Sequence, residues 1–94
     1  MPDSGLPLVY RVHALRRMAE RAIREEDVAH VVSAGKEIEN YPQDQPYPSR
    51  LLLGWVEGRP IHVVASTAEH EIIIITVYQP DPSQWAPGFE KRKP

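Results

Sequence analysis

The sequence predicts an α+β domain, with two short N-terminal helices packed on one face of a four-stranded antiparallel sheet. Three observations lead there. Helical periodicity is confined to residues 13–34, four strand-like runs follow from Lys36 with brief interruptions, and two short helices cannot bury their apolar stripes without a sheet. Short connections between successive strands favour an antiparallel meander.

Residues 1–7 carry two prolines, a glycine and a serine, the composition of a loose arm. Leu8 to Val12 reads as either a short strand or an extended lead-in. From His13 to about Ala22 the spacing is helical, with Leu15, Met18, Ala19 and Ala22 as the apolar side. A second helix is expected from the acidic cluster Glu25, Glu26 and Asp27 to about Ala34, with Val28, Val31 and Val32 as its stripe and Gly35 as a left-handed stop.

The strands are expected at Lys36–Tyr41, Arg50–Val56, Pro60–Ser66 and His70–Tyr78. A proline-rich surface loop separates the first two, and Glu57-Gly58-Arg59 turns the second into the third. The last strand carries four consecutive isoleucines, which places it inside the sheet, because such an edge would invite aggregation. Strict alternation would put Ile73, Ile75 and Val77 on one face and Ile72, Ile74, Thr76 and Tyr78 on the other. The ending reads as a turn or short 3₁₀ segment anchored by Trp85 or Phe89, with residues 90–94 frayed.

Ninety-four residues with 41% hydrophobic and 26% charged content make a single domain of ordinary globular composition. The absence of cysteine excludes disulfides and thiolate chemistry and points to the cytoplasm, and no run approaches membrane-spanning length. The net charge of −2 argues against a strong general attraction for nucleic acid. Locally the balance differs: residues 11–24 hold five arginines against Glu20 alone, a charge of +4, so an anion site is expected beside the first helix. No Gly-rich phosphate loop or zinc spacing occurs, so neither a metal nor a cofactor is expected.

On the third strand, Ile61, Val63 and Ala65 share one face, leaving His62 on the other, where Thr76 and Tyr78 could meet it. Metal-free RNA cleavage needs a base for the 2′-hydroxyl, an acid for the leaving 5′-oxygen and a cation for the phosphorane. His62, Tyr78, Thr76 and His13 are the candidate catalytic groups, and Arg16, Arg17 and Arg21 the candidate phosphate or RNA contacts. Each has a plainer role available, the arginines as a solvated helix face and Thr76 and Tyr78 as strand formers.

The segments His13 to Val28 (HALRRMAERAIREEDV), GKEIENY, GRPIHVV and ITVYQPDPSQW together resemble a small prokaryotic domain family of undefined function, over about residues 10–92. That family is in turn similar to RelE and BrnT toxins within the barnase, EndoU, colicin and RelE group of small ribonucleases. The resemblance implies a RelE/barnase-like fold, metal-free RNA cleavage on the sheet face away from the helices, and masking by an antitoxin. Its matching polar positions are His13, Arg17, Arg21, His62, Thr76 and Tyr78, and only Arg92 could match the C-terminal catalytic residue of such toxins. Two readings therefore stand: an endoribonuclease of a toxin–antitoxin or stress system, and a non-catalytic module that binds a protein, a second copy included, through its open sheet face.

Overall fold

A computed structural model describes residues 6–94. The elements are β1 (Leu8–Tyr10), α1 (Val12–Arg21), α2 (Glu25–Ala34), β2 (Lys36–Tyr41), β3 (Ser49–Val56), β4 (Arg59–Thr67) and β5 (Ile72–Tyr78). The expected arm falls mostly outside the described residues, and Leu6 already packs on the core. Strands β2 to β5 form the expected meander, but the sheet is mixed and five-stranded, in the order β1-β5-β4-β3-β2. The additional strand is β1, parallel to β5 with Leu8 opposite Ile72 and Tyr10 opposite Ile74. It closes the outer edge of β5, so the isoleucine run is paired on both sides, as its hydrophobicity demands.

Both helices lie on one face, α1 over β5 and α2 over β3 and β4. The core there joins Ala14, Met18, Val28, Val31 and Val32 to Leu52, Ile61, Val63, Ala65, Ile72, Ile74 and Val77. The buried stripe of α1 differs from the expected one: Ala14 and Met18, four residues apart, face inward, while Leu15 is 46% exposed. Only Arg11 separates β1 from α1, and that short connection sets the rotation of the helix. Gly35 ends α2 in an extended conformation, not a left-handed one. Its necessity is spatial, because a Cβ would stand 2.4 Å from the Val31 carbonyl oxygen and 2.8 Å from that of Leu53. Between β3 and β4, Glu57 and Gly58 both adopt positive φ, the geometry of a two-residue hairpin turn.

Two bulges decide which side chains leave the core. In β5, Thr76 pairs with Val64 and Ile74 with Ala65, so Ile75 is an extra residue that resets the alternation. The expected division of β5 is therefore corrected: Ile72, Ile74 and Val77 face the helices, whereas Ile73, Thr76 and Tyr78 share the opposite face with His62. In β2, Glu37 pairs with Leu52 and Glu39 with Leu51, so Ile38 is the extra residue. Lys36, Glu39 and Tyr41 consequently share the face of Leu51 and Leu53, away from the helices.

That second face is covered by the C-terminal segment. Trp85 anchors it at 3% exposure, with its ring 4.5 Å from that of His62 and nearly perpendicular to it. The final residues, expected to fray, are hydrogen-bonded: the Ala86 amide donates to the Lys91 carbonyl at 2.8 Å and the Lys93 amide to that of Gln84 at 2.9 Å. Side chains fix the segment to the sheet as well, through Lys36 to Glu90 at 2.8 Å and Arg92 to Glu39.

Candidate functional site

His62 and Tyr78 lie opposite each other on β4 and β5, and their side chains meet, with Nδ1 3.2 Å from the phenol oxygen. The other ring nitrogen, Nε2, is 2.9 Å from the Phe89 carbonyl oxygen. A carbonyl only accepts, so Nε2 carries the proton and Nδ1 of the neutral ring accepts from Tyr78. The ring is fully buried, and burial lowers its pKa against the opposing pull of the Phe89 carbonyl and Glu39. His62 is thus neutral and occupied at both nitrogens.

Beside this pair stands a charged group. Arg92 grips Glu39 with two bonds, Nε to Oε2 at 3.1 Å and Nη2 to Oε1 at 3.2 Å, and its guanidinium lies 4.6 Å from the Trp85 ring centroid. The Tyr41 hydroxyl donates to Glu39 as well. Burial would raise the Glu39 carboxyl, but the bonds from Tyr41 and Arg92 hold it below the ordinary value. Burial together with the Glu39 carboxylate pushes Tyr41 up to about 12, and burial raises Tyr78. The bond to Glu39 raises Arg92 in turn.

Five of the seven described groups whose pKa departs from its ordinary value converge here: Glu39, Tyr41, His62, Tyr78 and Arg92. Such convergence marks candidate functional sites, because acids and bases must be tuned to their task. Residues 10–79 match the family model described as Domain of unknown function (DUF4258). The chain belongs to this family. No curated protein and no solved structure matches it.

The remaining candidates disperse. Thr76 sits on the same face, opposite Val64. His13, Arg16, Arg17 and Arg21 are exposed on α1, which lies across the sheet from His62 and Tyr78, and Arg17 pairs with Glu20 at 3.3 Å. Arg21 instead borders a cleft with Gln79, Pro80, Asp81 and Pro82. The arginine helix and the His–Tyr pair are therefore separate features. Arg92 entered the sequence reading only through the family resemblance, whereas Glu39 and Tyr41 escaped it, because a bulge aims Glu39 and a chain separation of 53 residues hides its pairing with Arg92. Among the described residues no helix is long and apolar enough to cross a membrane, and no group of three potential ligands could hold a metal.

Proposed function

We propose that this protein is a RelE/BrnT-like, toxin-type endoribonuclease of a toxin–antitoxin or stress system, cleaving RNA without a metal at the Glu39–Arg92 cluster. The observation that carries this reading is geometric: Arg92 holds Glu39 with bonds of 3.1 and 3.2 Å, Tyr41 donates to the same carboxylate, and Tyr78 stands on the same face of the sheet. At neutral pH a carboxylate can accept a proton and a phenol can donate one, so Glu39 and Tyr78 take the roles of base and acid. Glu39 takes the proton of a 2′-hydroxyl, whose oxygen attacks the adjacent phosphorus, and Arg92 balances the charge on the phosphorane. The bond to the 5′-oxygen breaks, that oxygen takes the proton that Tyr78 donates to His62 Nδ1 in the resting site, and the products are a 2′,3′-cyclic phosphate and a 5′-hydroxyl. His62 is a positioning residue, holding the Tyr78 hydroxyl and the Phe89 carbonyl. An antitoxin covering this face would mask the cluster.

The test is cleavage of a single-stranded oligoribonucleotide in the presence of a chelator. Wild type and Arg17→Ala are expected to release cyclic-phosphate products, with Glu39→Gln and Arg92→Ala at least a hundredfold slower. Equal rates in all four, or none in wild type, would sink the reading. One observation favours a second reading, a non-catalytic protein-binding module. His62 has no exposure, and its nitrogens are spent on structure, Nε2 holding the C-terminal segment at Phe89 and Nδ1 tying β4 to Tyr78 of β5. Under that reading Glu39→Gln would weaken a partner complex and leave RNA untouched.

A further inference from the structure

Trp55 is the anomaly of the second face. On β3, Leu51, Leu53 and Trp55 alternate toward it; the two leucines are buried at 0% and 4%, whereas Trp55 is 47% exposed. Leu53 pairs with His62, so the indole stands one side-chain step along the same face from the buried imidazole. Its ring meets that of Phe89 edge-on, with centroids 6.0 Å apart and planes at 64°. The Phe89 carbonyl binds His62, and three residues later Arg92 holds Glu39. Trp55 is therefore an exposed ring braced on one side, adjoining a cluster that carries a guanidinium.

Charge around it is also favourable. Lys36 and Arg92 lie on this face, paired with Glu90 and Glu39, and the exposed Lys91 and Lys93 flank Arg92 in the chain. A rigid aromatic face beside backbone-directed cations is the combination that holds unpaired nucleobases, each of which offers a π-face. A duplex hides those faces in its stack.

We propose that Trp55 is a stacking platform for an unpaired base next to the phosphate at Arg92, which makes single-stranded RNA the substrate class. This rests on the RNA reading of the Glu39–Arg92 site. The platform is tested by anisotropy of the full chain with a short fully 2′-O-methylated strand, which cannot be cleaved, and with the same strand annealed to its complement. Wild type should bind the single strand more tightly than the duplex. Trp55→Ala should lose single-strand affinity by roughly five- to a hundredfold, and Trp55→Phe, which keeps a ring, should retain most of it. Equal single-strand binding by Trp55→Ala and wild type, or no preference over duplex, would overturn the platform even if cleavage is confirmed. Trp55-dependent binding without cleavage of unmodified RNA would uphold the platform and remove the endoribonuclease reading. If wild type binds neither RNA, both fall.

Discussion

The two faces of the sheet are covered in opposite ways. Toward the helices the core is aliphatic, joining Val28 and Val31 of α2 and Met18 of α1 to Ile61, Val63 and Ile74 of the sheet, and any side chain of similar shape would serve. Toward the C-terminal segment they are aromatic, polar and directional: His62 to Tyr78 and Phe89, Arg92 to Glu39 and Trp85. One cover supplies stability, while the other arranges charge and protons. A buried polar network demands that every partner be present, so removing one member leaves the others unsatisfied.

Substitutions on each side should separate these roles. The largest effect belongs to the aliphatic face, where Ile61→Ala removes a fully buried side chain and should cost about 4 kcal/mol, lowering the melting temperature by more than 10 °C or so. Trp85→Ala should cost about 3 kcal/mol, at the low end for tryptophan because the segment can reseat. Its signature is local: the Ala86 and Lys93 amides should lose hydrogen-exchange protection while those of β4 keep theirs. Global loss in both variants would erase the distinction between the faces.

His62→Gln should cost about 1–2 kcal/mol and also change the pH response. In the wild type, burial holds the folded imidazole below its ordinary pKa of 6.5, so the unfolded chain takes up a proton first as pH falls. This contribution is fully present above pH 6.5 and is lost progressively below it, ahead of the carboxylate transitions. Thermal melts between pH 7 and 5 should fall in the wild type and stay flatter in His62→Gln. The smallest effect is expected from Arg17→Ala, whose exposed pair with Glu20 should change stability by no more than about 0.5 kcal/mol.

Much of this fold was legible in the chain. Helix periodicity and the turn at Glu57-Gly58 placed α2, β2 and the β3–β4 hairpin almost to the residue, and the isoleucine run placed β5 inside the sheet. The Ile61, Val63 and Ala65 alternation put His62 on the correct face, beside Tyr78. What escaped was non-periodic or distant. A bulge at Ile75 turns Ile72 and Ile74 to the helix face beside Val77 and Ile73 away from it, a second at Ile38 aims Glu39, and the Glu39–Arg92 pair depends on the course of a proline-rich tail with no repeating pattern to read. The basic helix drew attention by its local charge and by the family resemblance, although its arginines project on the side remote from the convergent groups.

The central claim is that function resides on the face covered by the C-terminal segment. A nitrogen-15 NMR titration with a short uncleavable single-stranded oligoribonucleotide tests it most directly. The account predicts shifts concentrated at the Trp55 indole, the Arg92 guanidinium and the amides of Glu39 and Tyr78, with Arg16, Arg17 and Arg21 unmoved. Shifts confined to the arginines of α1, or no shifts at all, would contradict it.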